Sequence, residues 1–217
     1  MDFSFSPEQE DLRREARAFL ESSPAPTNEQ LAELGWVGIL QGDDFTFLDA
    51  AVLFEELGRV LYAGSYVDDE IGGDRQKLLA AYALEAVGIG SRATEMAIAY
   101  ASEREQFGKK IGTYQAISHS LVDAYVGVEL SRSLAYWAAW CVAEDDEQSA
   151  LATMAAKAQT TEAAVLACEK SIQAHGGIGF TWEHPLRRYY KRALWLEGAL
   201  GYGREQRAEV AASLLSS

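Results

Sequence analysis

Hydrophobic residues recur every three to four positions along almost the whole chain, which is the spacing of one face of an α-helix. Near the start, Leu12, Ala16 and Phe19 follow this spacing. Further along, it predicts helices over 75–104, 113–143, 149–175, 185–200 and 202–215. No stretch of useful length alternates between apolar and polar residues, as a half-buried strand would. The pattern therefore predicts an all-α fold without a substantial sheet.

Capping residues mark where the first helices begin. Ser6 with Gln9, and Thr27 with Gln30, each have the spacing of a capping box, in which the two residues satisfy each other's free backbone N–H groups. Thr46 precedes a third apolar-periodic segment. We therefore expect three helices in the N-terminal part of the chain.

A glycine-rich acidic segment at 64–74 interrupts the helical pattern, with three glycines and four acidic residues. Clusters of this kind end regular structure. We expect an N-terminal helical domain at 1–66, a linker at 67–74 and a C-terminal helical domain at 75–217. The long antiparallel helices and short connections of the second part predict a four-helix bundle.

The formal net charge of −14 excludes most sites for nucleic acid or an anionic membrane. No apolar run approaches the roughly 18 residues of a membrane-spanning helix, and the start lacks the pattern of a secretory leader, so we expect a cytoplasmic protein. Cys141 and Cys168 lie in alanine-rich helical patterns, which predicts buried free thiols. The histidines, His119, His175 and His184, lack the spacing of metal ligands, so no metal site is predicted.

Basic residues cluster at two places in this acidic chain. The first cluster is Arg104, Lys109 and Lys110, and the second is Arg187, Arg188, Lys191 and Arg192. Local cations on an acidic protein suit a small anionic ligand better than a polyanion. For the second cluster, a solvated basic helix face is an equally good interpretation.

Three glycines within four residues, Gly176, Gly177 and Gly179, interrupt the longest alanine-rich helical pattern. Glycine in a helix interior costs about 1 kcal/mol relative to alanine. Such a cluster either ends a helix or lets another group approach the backbone closely. Taken alone, the glycines leave both interpretations open.

Two segments together resemble the acyl-CoA dehydrogenase family. They run from Arg104 to Ile117 and from Gln173 to Phe180. The segments 34–38 and 54–58 resemble the family's N-terminal helical domain, and the run through His184 is similar to actinobacterial paralogues that degrade steroids. The resemblance covers nearly the whole chain and implies an N-terminal helical domain and a C-terminal four-helix bundle.

The family's middle β-domain is missing from the position where the resemblance places it, between Tyr62 and Arg75. In the family, that domain covers the flavin ring and contributes much of the acyl-CoA pocket. The resemblance thus implies a subunit of a heteromeric FAD-dependent acyl-CoA dehydrogenase, active only with a partner subunit that carries a β-domain. The assembly would desaturate an acyl-CoA thioester, with a steroid-derived acyl group as a candidate.

Two other interpretations stay open. The chain is either a non-catalytic, self-assembling helical protein that retains family relics, or a family member from which the β-domain was deleted. A flavin-free homodimer in solution would suit either interpretation.

The resemblance also implies which residues contact FAD, shared with the partner. They are Arg104, Gln106, Phe107 and Gln115 from the first segment, and Gln173, Gly176 and Gly177 from the second. A guanidinium group pairs with pyrophosphate oxygens, and bare glycine backbone admits the adenosine half. For Arg104, the alternative is an ordinary surface salt bridge with a neighbouring acid.

The catalytic base of the family is a glutamate followed by glycine near the last helix. Matching that pair selects Glu197, but the match requires a three-residue gap after Pro185. The ungapped alignment places Leu200 there, and we favour it because a gap inside a helix changes its phase. The family's alternative base position falls at Leu78. Neither leucine can abstract a proton.

Overall fold

The computed structural model describes residues 5–23, 25–42, 45–62 and 66–216. In chain order, their helices are α1 (Pro7–Ser22), α2 (Asn28–Glu33), α3 (Phe47–Arg59), α4 (Tyr66–Ile71), α5 (Arg75–Glu103), α6 (Gln115–Ala143), α7 (Ser149–His175), α8 (Leu186–Gly198) and α9 (Gly203–Leu215). Two-residue strands, β1 (Glu105–Gln106) and β2 (Lys109–Lys110), pair antiparallel between α5 and α6. The prediction of an all-α fold is confirmed.

The predicted capping boxes start the first helices. The Ser6 hydroxyl accepts the backbone N–H of Gln9, and the Gln9 side chain accepts the N–H of Ser6 in return. The same reciprocal pair forms between Thr27 and Gln30 at α2. Thr46 begins α3 in the same way. These ends are therefore determined by local sequence.

Most of the segment predicted as a linker, 67–74, is helical in the structure. α4 occupies Tyr66–Ile71 because it has buried partners: the Tyr66 hydroxyl donates to the carbonyl of Trp36 at 2.7 Å, and Glu70 accepts the N–H of Gly38 at 2.7 Å. Gly64 and Ser65 lie outside the described residues. The division of the chain into domains at this segment stays a prediction.

The three long helices α5, α6 and α7 meet at Gly90. A Cβ added there would lie 2.9 Å from Val128 of α6 and 3.3 Å from Ala164 of α7. Small residues at this point allow close helix approach. α8 and α9 both pack against α7, which completes the predicted bundle.

The N-terminal helices join the bundle where α3 crosses α5 at backbone contact. A Cβ on Gly58 of α3 would overlap the carbonyl oxygen of Glu85 on α5. Reciprocally, a Cβ on Gly88 of α5 would overlap the carbonyl oxygen of Glu55 on α3. Only a pair of glycines permits this crossing.

Buried ion pairs surround the crossing. Glu55 and Glu56 of α3 are 2% and 1% exposed. Glu55 accepts Arg132 of α6 at 3.0 Å and the Tyr136 hydroxyl at 2.8 Å, and Glu56 binds Arg17 of α1 through two hydrogen bonds. A buried carboxylate requires such partners, so both acids fix α3 against its neighbours.

Both cysteines are buried and free, as predicted. Burial raises the pKa of Cys168 to about 12, so this thiol stays protonated and unreactive. Among the described helices, none has both the length and the apolar character needed to cross a bilayer.

We expect Gly88→Ala to lower the free energy of unfolding by at least about 2 kcal/mol, because the added methyl overlaps backbone that cannot move aside. Gly127→Ala on α6 is the matched control, because a Cβ there meets nothing within 4 Å. The higher helix propensity of alanine should raise the free energy of unfolding of this variant by at most about 1 kcal/mol. Urea denaturation followed by far-UV circular dichroism measures both. Equal free energies of unfolding for the two variants would contradict the backbone contact between α3 and α5.

Candidate functional site

A cleft of about 490 Å³ opens where the C-terminal ends of α5 and α7 meet the start of α6. Four of the predicted cofactor residues line it: Arg104, Gln106, Phe107 and Gly176. The two segments that carried the family resemblance are far apart in sequence, and the structure brings them together on one surface. Its other lining residues are largely apolar or aromatic: Tyr100, Ile111, Tyr114, Ala116, Ile117, Ala174 and His175.

The hairpin at one side of the cleft holds Phe107 in an unusual conformation. Phe107 and Gly108 form the two-residue turn between β1 and β2, with φ of +52° and +79°, the signs of a type I′ turn. A bulky side chain at positive φ is a genuine outlier, and the Phe107 ring is 94% exposed. Strain retained to display an apolar ring suggests a function for that ring.

Arg104 ends α5 at the root of this hairpin. Its backbone N–H donates to Tyr100, and its carbonyl accepts Ile111 at 2.8 Å. Its guanidinium forms no ion pair with any of the described residues, so the alternative of a surface salt bridge finds no support. A free cation at the border of an apolar cleft is suited to an anionic ligand.

The glycine run lies at the other side of the cleft. Gly176 adopts φ +63° and ends α7, as expected of a glycine that terminates a helix. Gly179 packs so tightly that a Cβ would lie 2.9 Å from the carbonyl oxygen of Ile172. At Gly177 a Cβ would meet nothing within 4 Å, so this exposed backbone is open to an approaching group.

Three rings support the glycine run from below. His175 is 6% exposed and stacks on Tyr100 with ring centroids 4.4 Å apart. The His184 ring also contacts His175, with ring centroids 4.5 Å apart. His175 Nδ1 lies 2.8 Å from the Ser171 carbonyl, which can only accept, so Nδ1 carries the hydrogen. Burial, together with His175, lowers the pKa of His184, which keeps its ring neutral at pH 7.

The remaining predicted cofactor residues flank the cleft without lining it. Gln115, Gln173 and Gly177 are exposed, and each neighbours a lining residue in sequence. Sequence reasoning missed Tyr100 and Tyr114, which form much of the aromatic wall. The Tyr114 hydroxyl donates to the Gln106 carbonyl at 3.1 Å, so it also holds the hairpin. Nothing in their local spacing distinguishes them from ordinary core residues.

The second predicted basic cluster is divided by the fold. Arg192 forms two hydrogen bonds with the buried Glu85, at 2.6 and 2.8 Å, so it belongs to the ion pairs of the core. Arg188 and Lys191 are exposed. Neither interpretation of the cluster therefore applies to all four residues.

The candidate base positions lie away from the cleft. Glu197 is half-buried near the end of α8, and Leu200 occupies the following turn with φ +58° and 37% exposure. Leu78 packs in the core between α5, α7 and α8. None of the three lines the cleft, so the base assignment stays a prediction.

Lys157 and Gln206 hold the turn that contains Leu200. The Lys157 ammonium is fully buried and donates to the carbonyls of Glu197 and Gly201 at 2.8 and 2.7 Å. Gln206 donates to the Leu200 carbonyl at 2.8 Å. Burial lowers the pKa of Lys157 to about 8. The turn conformation thus depends on two polar side chains buried beneath it.

Residues 80–215 match the family model described as acyl-CoA dehydrogenase, C-terminal domain. The chain is 37% identical over 141 residues to the acyl-CoA dehydrogenase IpdE2 of Mycolicibacterium smegmatis, covering 64% of this chain and 42% of that relative. The chain therefore spans about two fifths of the length of this curated relative.

Two solved structures show the same fold at low sequence identity. The ChsE4–ChsE5 complex of Mycobacterium tuberculosis aligns with a TM-score of 0.87 and 18% identity, over 100% of both chains. A variant of the steroid ACAD Tcur3481–Tcur3483 aligns with a TM-score of 0.82 and 17% identity, over 97% of this chain and 99% of that one.

We expect Lys157→Met to change the pH dependence of stability. The folded pKa of about 8 lies below the usual 10.5, so between these values the unfolded chain binds more protons and the wild-type fold gains stability as pH rises, by up to about 1.4 kcal/mol per pH unit. The variant lacks this gain. Urea denaturation of both proteins at pH values about one unit apart, from about pH 7 to about pH 10, measures the difference between their free energies of unfolding. A difference that does not change with pH would contradict a buried ammonium.

Proposed function

The chain belongs to the acyl-CoA dehydrogenase family, and we propose that it is a subunit of a heteromeric, FAD-dependent acyl-CoA dehydrogenase. In this role it supplies helical scaffold and contacts to the adenosine–pyrophosphate end of FAD. A partner subunit with a β-domain holds the flavin ring. The observation that carries the proposal is the cleft, where both family motifs converge beside Arg104, which forms no ion pair with any described residue.

The residues of the cleft fit the adenosine–pyrophosphate end of FAD. The Arg104 guanidinium is free to pair with pyrophosphate oxygens, and Phe107 presents an exposed apolar ring to the dinucleotide. Gly177 leaves open space where a side chain would stand. These groups would bind and orient FAD, which would supply a hydride acceptor for the reaction on the acyl chain.

The absence of a β-domain supports a partner subunit. Only residues 63–74 separate Tyr62 from α5, and their described part forms α4 and its end. Without that domain, no described residue covers the open face of the cleft. Two structures of the same fold carry two-component names, and one of them is called a steroid ACAD. We therefore propose an acyl-CoA thioester with a steroid-derived acyl group as substrate of the assembly.

In this proposal the chain does not supply the base. The ungapped alignment puts Leu200 at the base position, and its turn is held by Lys157 and Gln206. Proton abstraction then belongs to the partner. A self-assembling helical protein, or a family member that lost its β-domain, would share the fold but not the dependence of FAD binding on this cleft.

We expect Arg104→Ala to reduce FAD retention by the assembled complex about tenfold, because a charge-assisted pair to a phosphate contributes on the order of 1.5–3 kcal/mol. Arg14→Ala is the matched control, since Arg14 is an exposed surface arginine of α1, remote in sequence from both motifs. FAD is titrated into each complex and followed by flavin fluorescence. Equal FAD affinity of Arg104→Ala and wild type would favour the non-redox alternatives.

We expect Glu197→Gln to leave turnover of the assembled complex unchanged, because the base belongs to the partner. Dye reduction with acyl-CoA substrate measures turnover, and the circular dichroism spectrum checks that the variant folds. Loss of turnover in a folded variant would instead identify Glu197 as the base and the gapped alignment as the right one.

A further inference from the structure

Two histidine rings lie against each other where the glycine run leaves α7. His175, the last residue of α7, is 6% exposed, and its ring centroid lies 4.5 Å from that of His184. We call these two residues the histidine pair. Residues 176–183 join its two members, so the pair closes this loop at its base, between the end of α7 and the start of α8. A change in the charge of either ring therefore acts directly on the loop.

Hydrogen bonds fix where the two rings carry their hydrogens. His175 Nδ1 donates to the Ser171 carbonyl at 2.8 Å, because a carbonyl oxygen can only accept. His184 Nδ1 accepts the backbone N–H of Leu186 at 3.3 Å, at the first residue of α8. A ring nitrogen that accepts carries no proton, so His184 is neutral with its hydrogen on Nε2. Protonation at Nδ1 would break this bond and leave an N–H at the start of α8 without its partner.

A positive charge on His184 also meets an unfavourable environment. Burial is the larger cause, and the neighbouring His175 the smaller, of a pKa for His184 below its ordinary value of 6.5. On the α5 side, Tyr100 stacks on His175 with centroids 4.4 Å apart, and a phenol is uncharged at neutral pH. The stack therefore offers an added proton no opposite charge.

The charged residues nearest in sequence are occupied elsewhere. Glu183 is exposed and hydrogen-bonds within its own loop to Thr181. On α8, the Arg187 guanidinium lies over the Trp182 ring, 3.2 Å from its centroid. No carboxylate of the described residues forms an ion pair with either histidine. A proton on the pair is thus left uncompensated by the elements around it.

We propose that the histidine pair is a pH-sensitive switch, which holds the loop 176–183 closed while both rings are neutral and opens it when His184 is protonated. His175 and Gly176 line the cleft, so opening the loop changes one wall of the cleft. The bundle itself stays folded, because the pair lies at the end of α7 and not between the long helices. The switch needs only this chain, and its failure would leave the proposed function standing.

The direction of the pH dependence follows from the pKa of His184. Because this pKa is lower in the closed loop than its ordinary value of 6.5, the open loop binds the proton more tightly than the closed loop. The closed form therefore has its full stability above pH 6.5 and loses stability as the pH falls below that value.

Hydrogen exchange of the full chain, followed by mass spectrometry, tests the switch. Protection factors of the peptide 176–185 are compared at about pH 7.5 and about pH 5.5, after correction for the pH dependence of intrinsic exchange. We expect protection in the wild type to be about tenfold lower at the acidic pH. His184→Asn keeps an acceptor near the position of Nδ1 but cannot be protonated, so its loop should be equally protected at both pH values. His119→Asn is the matched control, because His119 is exposed on α6, and it should behave like wild type.

Equal protection of the wild-type loop at the two pH values would overturn the proposal, and so would an acid-induced loss that His184→Asn retains. A peptide from the middle of α7 should stay protected, since an equal loss there would show global unfolding instead of loop opening and would also overturn it. If the His184→Asn loop is open at both pH values, an NMR titration of the wild type decides. The loop amides must then titrate with the same midpoint as the His184 ring, and a different midpoint would refute the switch.

Discussion

The backbone contact between α3 and α5 is the constraint on which the rest of this structure depends. Gly58 and Gly88 remove the two Cβ atoms that would separate the helices, and the closeness this allows places Glu55 and Glu56 in the interior. Those buried carboxylates then require Arg132 and Arg17 as partners. The N-terminal helices are thereby attached to the bundle directly, without a middle domain between them.

The cleft is a consequence of how the bundle ends. α5 and α7 reach the same end of the molecule, so the hairpin after α5 and the glycine run after α7 face each other. The Tyr100–His175 stack, with centroids 4.4 Å apart, links these two ends below the cleft. The strained Phe107 and the open backbone at Gly177 serve no packing role that the described residues reveal. The proposed function assigns both to contact with FAD.

Charged side chains in the core and at the cleft differ in whether they have partners. Arginines in the core are paired, as Arg192 is with Glu85, because an unpaired charge cannot be buried at an acceptable free-energy cost. Arg104, at the border of the cleft, has no such partner among the described residues. A cation left without an ion pair beside an apolar cleft attracts anionic groups there.

The sequence by itself determined the helices, because periodicity and capping act within a few residues: Ser6, Thr27 and Thr46 begin their helices as predicted. Because family motifs are local, the sequence also predicted Arg104, Phe107 and Gly176 as cofactor residues, and all three line the cleft. Only the tertiary structure decided that 66–71 is helical, since α4 is held by distant Trp36 and Gly38. Tertiary packing likewise separated Arg192 from its basic neighbours and placed Tyr100 and Tyr114 in the cleft, because burial and ion pairing depend on residues far apart in the chain.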